Sequence, residues 1–108
     1  MKEIRAYIQP FMLSKLTQAL MELEDFPGMS VSDCEGFGRE IILAEQEYSP
    51  FIAKKRIEII APDEMVDTIY QIILEVANTH SPGAGNIYIS DIERGTRIST
   101  GETGTNEF

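Results

Sequence analysis

Residues 56–77, RIEIIAPDEMVDTIYQIILEVA, change from a strand pattern to a helix pattern within a few residues. The part from Arg56 to Ile60 has β-branched residues at its centre, which is typical of a strand. Pro62-Asp63-Glu64 then has the composition of a helix start. The segment that follows carries apolar residues at helical spacing, which predicts a helix with this stripe in the core: Met65, Val66, Ile69, Ile72, Ile73, Val76 and Ala77.

Another strand and another helix lie before residues 56–77 in the chain. Apolar and polar residues alternate from Lys2 to Gln9, which predicts a strand with one buried face that ends at Pro10. Ser14 is a predicted N-cap for the next helix, and the breaker cluster at residues 25–28 ends it. Three leucines at spacings of four and three line one face of this helix: Leu16, Leu20 and Leu23.

Two further strands complete the pattern. Met29 to Glu35 reads as the second strand of the chain, and Ile87, Ile89 and Ile92 indicate a fourth. The order strand-helix-strand-strand-helix-strand predicts an α+β, ferredoxin-like βαββαβ sandwich, with an antiparallel sheet and both helices on one face. An apolar sheet face left in water would be a sticky patch, so we expect association through the uncovered face or its edges.

Length and charge limit the classes of function. The chain has 108 residues, 43% of them apolar, which suits a single domain over residues 1–108. Its 18 acidic and 9 basic residues give a net charge of −9, which argues against a nucleic-acid partner. Lys54-Lys55-Arg56 is too short for a nucleic-acid groove but sufficient to contact one phosphorylated small molecule.

Several features predict a cytoplasmic protein without membrane insertion. The amino terminus lacks the pattern of a signal peptide, and no window approaches the roughly 18 apolar residues of a membrane span. Cys34 is the only cysteine, so no intrachain disulfide can form, which fits a reducing compartment. We expect Cys34 to be a packed side chain and His80 a surface residue.

Two segments stand apart from the strands and helices. Gly36 to Lys54 exceeds the roughly 12–15 residues beyond which loops are typically functional, so a long functional loop is predicted there. Arg97 to Phe108 reads as an irregular C-terminal tail that could cross onto a neighbouring subunit.

The chain resembles the P-II nitrogen regulator family over nearly its whole length. The pieces that carry the likeness occur in the family's order: Lys2-Glu3-Ile4 with Ile8-Gln9-Pro10-Phe11, Gly28-Met29-Ser30-Val31, Gly36-Phe37-Gly38-Arg39, Lys54 with Arg56-Ile57-Glu58, Gly83 to Ile89, and Arg97 to Gly104. Several such pieces on the predicted elements make chance agreement improbable.

This resemblance implies a homotrimer that binds adenine nucleotides in the clefts between subunits. It also implies that the long loop contacts a target protein, such as a membrane transporter or a metabolic enzyme. In physical terms, the glycines let backbone amides approach a ligand, and the cations contact phosphates. Carried over residue by residue, the effector-binding positions are Gly36, Gly38, Arg39, Lys54, Gly83, Gly85, Asn86 and Arg97.

This sequence departs from the family pattern at several positions. Ala84, Asn86 and Ser99 stand where the family usually has Asp, Lys and Arg, so two cationic phosphate contacts are missing and ATP or ADP is predicted to bind weakly. Glu40 replaces a usual Gln, and its carboxylate would repel 2-oxoglutarate unless Mg²⁺ compensated, which argues against sensing in the family's way. The loop is shortened, and Tyr48 is not at its tip, so control by nucleotidylation is not supported.

Other interpretations compete with the regulatory one. Lys54 fits a charged strand edge nearly as well as a phosphate contact, and we assign Lys55 and Arg56 structural roles. No Ser-His-Asp set, nucleophilic Cys-His pair or spaced carboxylate pair can be assembled, so the sequence predicts a regulator and not an enzyme. The alternatives are a trimeric metal-tolerance or metal-transport accessory protein and a scaffold that binds only a partner.

Overall fold

The computed structural model describes residues 1–37 and 51–105. A 3-10 turn at Pro10–Met12 follows the first strand, and the fold is otherwise built from six strands and two helices within these ranges. Their bounds are β1 Lys2–Ile8, α1 Leu13–Met21, β2 Ser30–Gly36, β3 Ile52–Ala61, α2 Asp63–Val76, β4 Gly85–Asp91, β5 Gly95–Thr96 and β6 Thr103–Gly104.

The main sheet has the strand order β2-β3-β1-β4, and each neighbouring pair is antiparallel. The central pair β1 and β3 runs in register from Lys2 opposite Ala61 to Ile8 opposite Lys55. On the other side of β1, Ile4 faces Ile89 of β4. The predicted α+β, ferredoxin-like fold is therefore confirmed.

Alternation along the central strands creates the core. Even-numbered residues of β1 and odd-numbered residues of β3 face the helices, which meet them with one apolar stripe each. A fully buried Ile or Leu contributes about 1.5–3 kcal/mol relative to exposure, so this layer dominates stability. Its buried members are Ile4, Ala6, Ile8, Leu16, Leu20, Ile57, Ile59, Ala61, Val66, Ile69, Ile73 and Ala77.

The first helix begins earlier than the sequence predicts. Ser14 lies inside α1, whose cap residue is Met12 and has no side-chain capping bond, so the predicted Ser14 N-cap is wrong. The reason is the 3-10 turn opened by Pro10, whose fixed φ suits the first position of a helical turn. This turn runs directly into α1 and leaves no extended residue at position 14.

The third strand is longer than predicted. It begins at Ile52 instead of Arg56, because residues 52–55 pair with residues 33–36 of β2 and extend the ladder. Both ends of the predicted 36–54 loop, Gly36 and residues 52–54, therefore lie in strands. Residues 38–50 of that loop lie outside the described residues.

Part of the predicted irregular tail forms a hairpin. β5 pairs with β6, with Gly95 opposite Gly104 and Thr96 opposite Thr103, so the irregular prediction is wrong for this part. Backbone bonds close its turn, from Arg97 N to Glu102 O at 2.8 Å and from Gly101 N to Arg97 O at 2.7 Å. Local turn bonding makes such a short pair possible without a strand pattern in the sequence.

The uncovered sheet face carries charged side chains beside Tyr7 and Tyr88, so the expectation of an apolar face is only partly correct. Arg5 on β1 stands opposite Glu58 on β3, and Arg56 Nη2 lies 2.8 Å from a Glu58 oxygen. The alternation that buries Ile57 and Ile59 places the polar residues between them on this face. Any association through this face must therefore match charges as well as apolar surface.

One exposed ion pair links the ends of two strands. Lys2 Nζ donates a hydrogen bond to Asp91 Oδ1 across β1 and β4. This bond and the attraction between the charges hold the pKa of Asp91 below its usual value and raise the pKa of Lys2.

Within residues 1–37 and 51–105, no helix is both long and apolar enough to span a membrane.

Candidate functional site

A cavity of about 460 Å³ lies on the uncovered side of the sheet near the ends of β2 and β3. Five of the residues predicted to bind an effector line it: Gly36, Lys54, Gly83, Gly85 and Asn86. The remaining lining residues are Tyr7, Cys34, Glu35, Phe37, Arg56 and Pro82. Segments far apart in sequence therefore meet at one site.

Strand register explains this meeting. Cys34 of β2 stands opposite Lys54, and Arg56 stands opposite Tyr7 of β1. On its other side Tyr7 stands opposite Asn86 of β4. Because residues in register point to the same face of a sheet, Arg56, Tyr7 and Asn86 form one row along the cavity. Cys34 and Lys54 form the next row on the same face.

The Gly83 carbonyl is held from two directions. Lys54 Nζ donates to Gly83 O at 2.7 Å, and Gln9 Nε2 donates to the same oxygen at 2.6 Å. A carbonyl oxygen has two lone pairs, so these two donors satisfy it. The turn before β4 is therefore tied to the ends of β1 and β3.

Gly85 occupies its position because of close packing against β1. Its φ is +125°, and a Cβ atom there would lie 1.8 Å from the Tyr7 carbonyl oxygen. Only glycine avoids both the unfavourable φ and the collision. The pairing of β1 with β4 thus requires glycine at position 85, in addition to the amide contact that the sequence predicts.

The cavity combines positive charge with aromatic surface. Lys54 and Arg56 bring cations, Glu35 also lines the cavity, and Tyr7 and Phe37 bring rings. The Phe37 ring also packs edge-on against Phe51, with ring centroids 4.9 Å apart, and this contact helps to fix the position of the Phe37 ring. This combination suits a small anion that also carries a planar group.

Comparison with known proteins identifies the family. A family model described as nitrogen regulatory protein P-II matches residues 1–102. The chain belongs to the P-II family. It is 40% identical to the nitrogen regulatory protein P-II of Rhodobacter capsulatus, with 96% of each chain covered. It is 39% identical to nitrogen regulatory protein P-II 1 of Escherichia coli K12, with 94% of this chain and 95% of the relative covered.

Among the described residues, one predicted effector position, Arg97, does not line this cavity. Arg97 is exposed in the β5–β6 hairpin, next to Ile98, whose side chain is 99% exposed. Gly38 and Arg39 lie outside the described residues, as do Glu40 and Tyr48. Among the residues that the structure describes, no three His, Cys, Asp or Glu side chains gather as a metal site.

The sequence did not indicate several residues of this cavity. Arg56, for which the sequence predicts a structural role, lines the cavity together with Tyr7 and Phe37. Strand alternation could have placed Tyr7 and Arg56 on the uncovered face. Gln9 belongs to the motif Ile8-Gln9-Pro10-Phe11, but no local pattern indicates its bond to Gly83, because that bond joins residues that are distant in the chain.

Proposed function

We propose that this P-II protein is a signal-transduction regulator in nitrogen regulation that acts as a cytoplasmic homotrimer. It senses a small anionic effector, an adenine nucleotide or a related molecule, in the clefts between subunits. Its long loop, predicted over residues 36–54, then controls a target transporter or enzyme. The protein acts by binding and not by catalysis.

One observation carries this proposal. The P-II match spans residues 1–102, and within that span the fold brings Gly36, Lys54, Gly83, Gly85 and Asn86 to one cavity. The relatives named nitrogen regulatory protein P-II support the role in nitrogen regulation. Glycine-rich backbone beside a lysine is a common arrangement for anion binding.

The hairpin supports a cleft shared between subunits. Arg97, the second predicted guanidinium contact, lies on β5–β6 and does not line the cavity of its own chain. The hairpin also carries the almost fully exposed Ile98 at its turn. In the proposed trimer, both residues would contact a neighbouring subunit, and Arg97 would add a cation to the cleft between the two chains.

We expect the protein to be a trimer in solution. Light scattering or analytical ultracentrifugation at micromolar concentration should give about three times the chain mass of 12.1 kDa. A clean monomer at low salt and micromolar concentration would contradict the architecture.

A titration of the native protein tests the effector class. Calorimetry with ATP, ADP and, separately, divalent metal ions distinguishes a nucleotide sensor from a metal-handling accessory protein. We expect a weak response to nucleotide that competes with other small anions, because two cationic contacts are missing. Tight metal binding without any anion response would contradict the proposal and favour the metal-handling alternative.

A further inference from the structure

We propose that Gln9 is a positioning residue for the cavity, acting through the Gly83 carbonyl on the ammonium of Lys54. The arrangement of Gln9 and Lys54 on Gly83 O is called the carbonyl clamp below. Its two bonds measure 2.6 Å from Gln9 and 2.7 Å from Lys54. Gln9 itself does not line the cavity, so its influence passes through the other two residues.

The backbone presents Gln9 rigidly. It follows the last residue of β1 and precedes Pro10, and its φ of −64° and ψ of 136° are the extended values that a residue before proline adopts. Its own carbonyl accepts the Met12 N–H at 3.0 Å, which anchors it to the 3-10 turn. The side-chain amide therefore projects from a fixed point toward Gly83.

Gly83 fits this amide closely. A Cβ atom at Gly83 would lie 3.1 Å from Gln9 Nε2, which is tighter than ordinary contact. Glycine thus lets the amide reach the carbonyl oxygen, while residues 81–84 form a turn in which Ala84 N donates to Ser81 O at 3.1 Å. Gln9 therefore still orients the Gly83 carbonyl when the Lys54 side chain changes position.

Lys54 is the part of the clamp that can contact a ligand. An ammonium has three N–H donors, and the described part of the chain accepts one of them through Gly83 O. A lysine side chain is flexible, so one fixed acceptor limits where the remaining donors point. Holding Gly83 in place therefore holds the positive charge at the cavity wall.

The clamp is tested first in the ligand-free protein by NMR of the Lys54 ammonium. Gln9→Met keeps the length of the side chain and removes the donor, and we expect the ammonium protons of Lys54 to exchange roughly 2- to 10-fold faster. Gln9→Lys retains a donor and should restore slow exchange. Gln18→Met, at an exposed position of α1, is the matched control.

A second variant approaches the clamp from the other partner. Gly83→Ala leaves Gln9 in the chain but places a methyl group against its amide, so it should reproduce the Gln9→Met effect on Lys54. Backbone amide exchange in β1 and β3 should stay unchanged in both variants, which shows that the fold is intact. Lys54 signals identical to the wild type in Gln9→Met and Gly83→Ala would overturn the proposal.

The role of the clamp in anion binding rests on the proposed function, and pyrophosphate is the probe. Gln9→Met should weaken pyrophosphate binding roughly 2- to 10-fold in the wild type but have little effect in Lys54→Met, because its influence passes through Lys54. Equal weakening in both backgrounds overturns the proposal. If pyrophosphate does not bind at all while Gln9→Met still alters Lys54, the clamp stands and the effector proposal fails.

Discussion

Restoring two cations to the cleft is expected to increase nucleotide affinity by about two to four decades, at about 1.5–3 kcal/mol for each charge-assisted contact. The changes are Asn86→Lys and Ser99→Arg, made together. Asn86 lines the cavity, and Ser99 lies in the hairpin turn beside Arg97. Calorimetry with ATP and ADP on the wild type and the double variant measures the effect.

The control for this experiment separates local contacts from net charge. Ser14→Arg with Gln18→Lys adds the same two charges at exposed positions on α1, away from the cavity lining. Electrostatic steering alone would strengthen binding similarly in both double variants. We expect the tightening only where the charges enter the cleft, and equal gains in the two proteins would contradict the residue assignments.

Arg97→Ala extends the same test. We expect the binding free energy of nucleotide to weaken by roughly 1.5–3 kcal/mol in both the wild type and the restored variant, because a guanidinium contact to an anion is lost. The exposed Arg94, just before the hairpin, offers a matched control as Arg94→Ala. A wild type that binds ATP at low micromolar concentration, with no change in Arg97→Ala, would refute this view of the cleft.

Gly85→Ala is expected to lower the free energy of unfolding by about 3–5 kcal/mol, near the upper limit for a single substitution. The φ of +125° is unfavourable for alanine, and its Cβ would lie 1.8 Å from the Tyr7 carbonyl oxygen. Backbone cannot yield as a side chain can, so the pairing of β1 with β4 must open at this end. Chemical denaturation measures the loss.

Gly28→Ala is the matched control for this loss. Gly28 also has a positive φ, of +106°, but no atom lies within 4 Å of the added Cβ. It should therefore cost only the strain of the backbone, about 1–2 kcal/mol. If the two variants lose equal stability, the close approach to Tyr7 does not contribute and the structural role of Gly85 is wrong.

Periodicity alone predicted most of the fold. The stripe from Met65 to Ala77 and the alternation of Ile4, Ala6 and Ile8 require a helix and a strand whose apolar sides share one core. The structure bears this out, because burial of apolar surface depends on a pattern that is local in sequence. The family followed from short motifs for the same reason, since each motif is contiguous.

Other features depended on contacts between distant segments. The true start of β3 at Ile52 required its partner β2, and the position of Arg5 opposite Glu58 required knowing which strands are neighbours. The start of α1 is a local exception, because it depended on how the nearby Pro10 shapes the turn before the helix. Local patterns do not contain such pairings, so the boundaries differed and the β5–β6 hairpin was not predicted, while the four main strands and the two helices were.

The sequence by itself determined the family, the βαββαβ order, the core stripes and five residues of the cavity, because these features follow from local patterns and contiguous motifs. The tertiary structure alone decided that Tyr7, Phe37 and Arg56 share the cavity and that Gln9 and Lys54 meet on Gly83. It also decided that Gly85 is needed against Tyr7. The physical reason is that strand register and close packing join residues far apart in the chain, and their geometry arises only when the sheet forms.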